Sequence, residues 1–186
     1  MVRAILAGTK TQTRRIIKPQ FQIGPSLPEA SVRRARPLVR GRYRFMGDIG
    51  NGTLSIPEIE INLTPKYGAP GDFIWVKETF MPMPHLNARA FYRASDPLVG
   101  GKWKPSIFMP RALSRITLEL TAVRVERLQD ISEADARDEG SPQADTEHLF
   151  KNFRDGYRYL WEQINGPGSW AENPWVWVLE FRRIDQ

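Results

Sequence analysis

Lys10 and Thr13 stand three residues apart in a polar stretch, residues 8–15, and their side chains can act together as a base and a nucleophile. A threonine hydroxyl attacks a carbonyl carbon only when a base removes its proton. Lysine serves as that base when burial or a nearby cation lowers its pKa, and Arg14 or Arg15 would supply the cation. Lysine, threonine and arginine in a polar strand also form ordinary solvated surfaces, so spacing alone leaves both interpretations open.

The pattern around this stretch predicts a short helix, a turn and a strand. Residues 1–7 are apolar at helical spacing, and Gly8 stands where a glycine in the left-handed conformation ends a helix. A strand then begins near Thr11. In a regular strand Thr13 and Lys10 point to opposite faces. A partnership between these two side chains therefore requires Lys10 to lie in the turn, before regular strand geometry begins.

Gly8, Lys10, Thr13 and Arg15 resemble the signature Gly-x-Lys-x-x-Glu-x-Arg of the ASCH domain family, with threonine where many members carry glutamate. The threonine form is similar to that of small bacterial members of the family that hydrolyse N4-acetylcytidine. The resemblance covers most of the chain except residues 20–65 and is closest to longer members often found in prophages. In the family, a strand normally precedes the opening helix. It extends to a Gly-Asp strand at residues 71–78, a short acidic helix at 131–140 and a tryptophan-rich strand at 175–181.

The resemblance implies an α+β fold of the PUA-like type, a small twisted β-barrel flanked by helices. It also implies a catalytic set of Lys10, Thr13 and Glu139. In one route Thr13 attacks the acyl carbonyl, Lys10 takes its proton, and Glu139 holds the lysine or protonates the leaving amine. In the other route water attacks directly and Thr13 only positions the substrate. Glu139 is otherwise an ordinary carboxylate at a helix end, where a negative charge is mildly unfavourable.

Further residues are candidates for contact with the ligand. Trp75 is a stacking platform for a base or a core residue, and Glu78 binds a base edge or pairs with an arginine. The resemblance places the loop around Lys104 near the binding cleft. The substrate-binding candidates are Gly8, Arg15, Trp75, Glu78 and Lys104.

Composition limits the possible chemistry. The chain has 186 residues, 41% hydrophobic and 26% charged, as expected for one globular domain over residues 1–186. It has no cysteine, which excludes disulfides, zinc–thiolate clusters and thiol nucleophiles. Its two histidines, His85 and His148, are far apart in sequence, so we predict no metal site and no cofactor. The apolar segment at residues 1–7 is too short for a signal peptide and no apolar run approaches the length of a membrane span, so we expect a cytoplasmic protein without a membrane partner.

Positive charge is concentrated at the start of the chain. Residues 1–70 hold 12 Lys and Arg against 4 Asp and Glu, whereas the whole chain has 27 against 21. Prolines and glycines are expected to break any long element in residues 18–66, a basic insertion at about 20–66, although Asn51-Gly52 is a hairpin turn candidate. The insertion is either a flexible arm that follows an RNA backbone or a solvated segment paired with acids of the second half. Its clustered arginines are Arg33, Arg34, Arg36, Arg40, Arg42 and Arg44.

Three strands are predicted in the middle of the chain. Residues 73–76 are apolar on both faces, which is typical of a central strand, and residues 90–93 form another. A third strand starts at Ile116 with alternating apolar and polar residues. Its phase slips near Ala122, where a bulge is expected, and Arg124 and Glu126 then take the polar positions.

The last part of the chain is predicted to contain two helices and a strand. Ser132 and Asp135 begin a helix that ends at Glu139 and Gly140, and Thr146 caps a longer helix that ends at Gly166. The longer helix has an apolar stripe that includes Phe153, Tyr157, Leu160, Trp161 and Ile164. In the closing strand Trp175, Trp177, Leu179 and Phe181 share one face, and Val176, Val178 and Ile184 lie on the other.

Three functions are compatible with these observations. The first is a hydrolase that removes an acyl group from an N4-acylated cytidine-type substrate. The second is a non-catalytic RNA-binding module, and the third is a metal-independent or metal-assisted ribonuclease for single-stranded RNA. The basic insertion favours a ligand larger than a nucleoside, whereas the match at Lys10, Thr13 and Glu139 favours hydrolysis. We favour the hydrolase, with RNA or a nucleoside as the ligand.

Overall fold

A computed structural model describes residues 1–20, 32–39, 42–47, 59–62, 65–83, 89–97, 99–141 and 150–184. The fold is α+β, with few helices and a curled antiparallel sheet that forms half of a barrel. Within the described ranges, no helix is both long and apolar enough to cross a membrane. The helices are α1 (Val2–Leu6), α2 (Glu133–Asp138) and α3 (Phe153–Asn165), with 3-10 turns at Ser106–Phe108, Arg111–Leu113 and Leu128–Asp130.

In the described part of the chain, nine strands form the sheets. The main sheet has the order β1-β9-β8-β2-β3-β4, and β5 pairs with β8 beside this path. Strands β6 and β7 form a separate antiparallel pair. The strands are β1 (Gln12–Ile16), β2 (Val32–Val39), β3 (Arg42–Gly47), β4 (Ile59–Asn62), β5 (Phe73–Trp75), β6 (Phe80–Pro82), β7 (Ala90–Tyr92), β8 (Thr117–Arg127) and β9 (Trp175–Ile184).

Strand β9 is buried on both faces because its residues are apolar at successive positions. Side chains of a strand alternate between faces, so Trp175 and Trp177 enter one core and Val176 and Val178 the other. The first core contains α1 and the apolar residues of β8, and the second lies under α2 and α3. The predicted division of the closing strand into two faces is confirmed.

Strand β8 carries the predicted bulge. Its pairing with β9 shifts by one residue between Leu120 and Ala122. The bulge lets Leu120 and Val123 both enter the first core, although strict alternation would separate them. The strand predicted at residues 90–93 is present as β7.

Strand β5 corrects the prediction of a central strand at residues 73–76. It has three residues, and among the described strands it pairs only with β8. Phe73 is 63% exposed. A run that is apolar on both faces does not by itself fix how many neighbours a strand has, and here one of its apolar side chains faces solvent.

The structure also corrects the expectation that prolines and glycines break every long element of residues 18–66. Strand β2 has eight residues and pairs with both β3 and β8. It tolerates Pro37 because the pairing becomes irregular between Pro37 and Val39, where the missing N–H matters least. The Asn51-Gly52 turn candidate lies outside the described residues.

The helices match the predicted boundaries in part. Gly8 has φ of 73°, the left-handed conformation expected after α1, and the Ser132 side chain accepts a hydrogen bond from the Asp135 amide at the start of α2. The predicted start of the longer helix is wrong, since residues 150–152 are not helical and Asn152 caps α3. Thr146 lies outside the described residues. The helix ends at Gly166 as predicted, but Ile164 is 59% exposed and does not belong to the core stripe.

Candidate active site

Lys10 is held in the turn between α1 and β1. After Gly8 reverses the chain, the Lys10 amide donates to the Ala4 carbonyl, and Lys10 forms an isolated antiparallel bridge with Glu139. The next amide, that of Thr11, donates to Asp138. These backbone bonds fix Lys10 against the end of α2 before β1 begins, which is the position that the predicted partnership requires.

Lys10 and Glu139 form a buried ion pair. The Lys10 Nζ atom lies 2.6 Å from Glu139 Oε2 and 2.7 Å from the Glu139 carbonyl oxygen, and the two residues are 5% and 4% exposed. Burial lowers the pKa of Lys10, the Glu139 carboxylate opposes this shift, and the positive charges of Arg15 and Arg14 add to it. An ammonium group has three donors, and two of them go to Glu139.

Arg14 holds the other oxygen of the same carboxylate. Its Nη1 atom lies 3.3 Å from Glu139 Oε1, and its Nη2 atom lies 3.3 Å from both Glu126 Oε2 and Asp135 Oδ2. Arg14 is 2% exposed. Because guanidinium stays protonated in proteins, it keeps balancing the carboxylate whatever the charge of Lys10.

The network of hydrogen bonds and ion pairs extends from Asp135 to Gln12 and Arg124. Gln12 Nε2 donates to Asp135 Oδ1 at 2.9 Å, and Arg124 contacts Asp135, Glu126 and Glu180. Burial opposes ionisation of Asp135, but the Gln12 hydrogen bond and the arginine charges lower its pKa. These contacts dock α2 on β1 and β8, and so place Glu139 at the end of the helix opposite Lys10.

A cavity of about 290 Å³ opens beside β1, and Lys10, Thr13 and Glu139 all line it. Among the described strands β1 pairs only with β9. Alternation puts the Thr13 side chain on the opposite face of β1 from Arg14, and both residues line the cavity. Within the described part of the chain, the Thr13 hydroxyl makes no hydrogen bond, so the structure contains no direct contact between Thr13 and Lys10.

Helix α3 closes the cavity with Tyr157 and Trp161. Burial, and then the negative charge of Glu139, raise the pKa of the Tyr157 phenol well above its usual value, which keeps it protonated. Among the described residues, two buried donors of cavity-lining residues have no hydrogen-bond partner: Arg14 Nε and Trp161 Nε1. Both atoms are buried, and an unpartnered buried donor is costly.

The other predicted site residues are placed in different parts of the molecule. Gly8 forms the turn that precedes Lys10, and Arg15 lines the cavity. Trp75, Glu78 and Lys104 do not line it. Glu78 forms a bidentate ion pair with Arg115 at 2.9 and 3.0 Å. The cations of Lys77 and Arg111 lie near the ring of Trp75, and Lys104 pairs through its backbone with Phe80.

The arginines of the basic insertion are on strands where the structure describes them. Arg33, Arg34 and Arg36 belong to β2, and Arg42 and Arg44 to β3. Arg40 lies outside the described residues. Across the described ranges, no group of three or more His, Cys, Asp or Glu residues has the arrangement of a metal site.

Sequence reasoning missed the parts of the site formed by β8 and α3. Arg124 and Glu126 have the pattern of a solvent-facing side of a strand, but Glu126 is 1% exposed. A signal was present in the neighbouring strand, since Val176 and Val178 pair with Glu126 and Arg124 and make that face apolar. Charged residues on a face that the next strand buries must pair with one another. No protein family, curated protein or solved structure matches this chain, so the chemistry of the site rests on its own residues.

Proposed function

We propose that this chain is a hydrolase of the ASCH type with a PUA-like fold, which removes the acyl group of an N4-acylated cytidine in the cavity beside β1. The observation that carries the proposal is the buried pair of Lys10 and Glu139, 2.6 Å apart, on the same cavity as Thr13. A lysine with a lowered pKa, a carboxylate and a hydroxyl can serve as base, proton donor and nucleophile in amide hydrolysis.

The reaction divides into two steps. The Thr13 oxygen bonds to the acyl carbon while Lys10 takes the hydroxyl proton, and the carbon–N4 bond breaks as N4 receives a proton from the Lys10–Glu139 pair. Water then attacks the acyl-enzyme, which releases the carboxylic acid and restores Thr13. The sum is one amide and one water converted into one amine and one acid.

Arg14 makes this use of Lys10 feasible. When Lys10 is neutral, the Glu139 carboxylate still has the charge of Arg14 3.3 Å away. Without that second cation, loss of the lysine proton would leave a buried carboxylate unpaired, which is strongly unfavourable. The double contact of Glu139 therefore supports a lysine that changes its charge during the reaction.

The hydrogen-bonding character of the cavity fits such a substrate. An N4-acylcytosine has acceptors at O2, at N3 and on the acyl oxygen. Lys10 lines the cavity, and its ammonium form has one N–H beyond the two given to Glu139. Its volume of about 290 Å³ lies near the lower end of small-molecule pockets, about 300 Å³.

The test uses chromatography to measure the release of cytidine from N4-acetylcytidine. We expect turnover by the wild type, and a loss of roughly 100-fold to 10,000-fold in Lys10→Ala, the range for removal of a general base. Lys10→Arg keeps the positive charge but cannot take a proton, so it is expected to be equally inactive. Lys102→Ala removes an exposed lysine outside the cavity and should retain full activity.

Thr13→Val separates the two routes. A covalent route predicts that rapid quenching of the wild type traps one acetyl group on Thr13, seen by mass spectrometry of the peptide, and that Thr13→Val is inactive. Activity in Thr13→Val without a trapped acetyl group would establish direct attack by water. No turnover in folded wild type would contradict the hydrolase and favour the RNA-binding alternative.

A further inference from the structure

The mouth of the cavity carries three cations that have no acidic partner among the described residues. Arg15, Lys18 and Lys66 line the cavity, and within the described ranges none of the three has an ion-pair partner. Lys18 and Lys66 are exposed, whereas Arg15 is half-buried. Lys66 lies with its Nζ atom 5.2 Å from the centre of the Tyr67 ring, a contact that holds the ammonium at the mouth.

The interior of the cavity does not offset these charges. Glu139 is its only acidic lining residue within the described part of the chain, and Lys10 and Arg14 already bind both of its oxygens. The reacting groups are thus buried, Lys18 and Lys66 are exposed at the mouth, and the charge of Arg15 adds to this unbalanced positive potential. Such a field attracts an anion and orients a ligand that is anionic at only one end.

We infer that the substrate carries a phosphate group, which Arg15, Lys18 and Lys66 bind at the mouth while the acylated base lies at Lys10 and Thr13. The inference rests on the proposed function, because it assigns the substrate class of the same site as a cytidine nucleotide, free or within RNA. A phosphate has several acceptor oxygens and accepts charge-assisted hydrogen bonds from arginine and lysine together.

Binding tests the inference without using catalysis. Calorimetry would compare cytidine with cytidine 5′-monophosphate, both of which lack the acyl group. We expect the monophosphate to bind the wild type about tenfold more tightly. The double variant Lys18→Ala/Lys66→Ala should lose most of this preference. Lys77→Ala/Lys102→Ala removes two exposed lysines outside the cavity, has the same net charge and should keep it.

Salt and a longer ligand complete the test. The preference for the monophosphate should shrink as the salt concentration rises, since the lysines are exposed. A cytidine trinucleotide that binds more tightly than the monophosphate would identify RNA as the source of the phosphate, and the reverse order would identify a free nucleotide. Equal affinity for cytidine and its monophosphate, or equal losses in the two double variants, would overturn the inference.

This design separates the inference from the proposed function. If N4-acetylcytidine is hydrolysed but the monophosphate has no advantage in binding or in kcat/KM, the inference is wrong and the hydrolase stands. If the monophosphate binds through Lys18 and Lys66 but no acylated substrate is hydrolysed, the phosphate site stands and the reaction is wrong.

Discussion

Burial of Lys10 changes both the strength of its ion pair and the ease with which it loses a proton. Removal from water penalises the ammonium form, while Glu139 stabilises it. The pKa of Lys10 is lowered overall because burial is the larger effect and the charges of Arg15 and Arg14 act in the same direction. The charge of Arg15 thus lowers the pKa of Lys10, the proposed base, without a described hydrogen bond between the two residues.

Arg15→Gln tests this adjustment through the pH dependence of hydrolysis. A lysine base acts when neutral, so kcat should rise as the pH rises through the pKa of Lys10. Loss of the Arg15 charge raises that pKa, and the rising limb should therefore move to higher pH. Unphosphorylated N4-acetylcytidine is the substrate for this profile, so that the phosphate contact does not contribute.

Lys18→Gln is the matched control, since Lys18 lines the same cavity but is not among the main causes of the pKa shift of Lys10. Its pH profile should coincide with that of the wild type. A profile of Arg15→Gln that also coincides with the wild type would show that Lys10 is not the titrating base.

At the scale of the elements, the end of α2 sets the position of Glu139. Gly140 follows with φ of 72°, and a Cβ atom there would lie 3.0 Å from Ala4 Cβ and 3.2 Å from Lys10 Cβ. The glycine thus permits both the left-handed turn and the close approach of α2 to α1 and Lys10. A side chain at position 140 would push the Glu139 carboxylate away from Lys10.

Gly140→Ala is expected to lower the free energy of unfolding by about 1–2 kcal/mol from backbone strain, and to lower kcat as well. Gly168→Ala has comparable strain, with φ of 83°, but its added methyl group meets nothing within 4 Å. It should lose similar stability and keep its activity. Urea unfolding and hydrolysis of N4-acetylcytidine measure the two effects. Full activity in Gly140→Ala would refute a positioning role for the turn.

The elements also differ in how far the sequence predicted them. The two faces of β9 and the bulge in β8 follow from local alternation, which the sequence contains directly. The pairing of β5 with β8 alone among the described strands, and the start of α3 at Phe153, depend on tertiary neighbours that local pattern does not specify. In the site, the family resemblance predicts that Lys10 and Glu139 act together. The burial of Glu126 can be predicted only once its pairing with Val176 is known.

At the scale of the molecule, most of the buried charged side chains that the structure describes lie where β1, β8 and α2 meet, and Glu78, paired with Arg115, lies elsewhere. Where the three elements meet, Arg14 contacts Glu126, Asp135 and Glu139, and its guanidinium is fully buried. This arrangement ties the helix that carries Glu139 to the strands of the second core. The site and the packing of the sheet therefore share one set of contacts.

Arg14→Met tests this coupling by leaving three carboxylates without their central cation. We expect a loss of about 3–5 kcal/mol in the free energy of unfolding, the range for removal of one partner of a buried ion pair. Arg182→Met breaks the ion pair of Arg182 with Glu119, in which the Arg182 side chain is 70% exposed. It should lower the free energy of unfolding by less than about 1 kcal/mol. Equal losses in urea unfolding would contradict a special role for the buried network.

The bridge between Lys10 and Glu139 joins positions 129 residues apart in the sequence. Among the described strands, β1 pairs only with β9, which is also the last of the described elements. Contacts of such long sequence separation form late and slowly during folding. As the chain emerges from the ribosome, helix α2 is made before the strand that holds β1 beside it. Catalytic competence should therefore arise only after synthesis of β9, which would make enzyme turnover a reporter of completed folding.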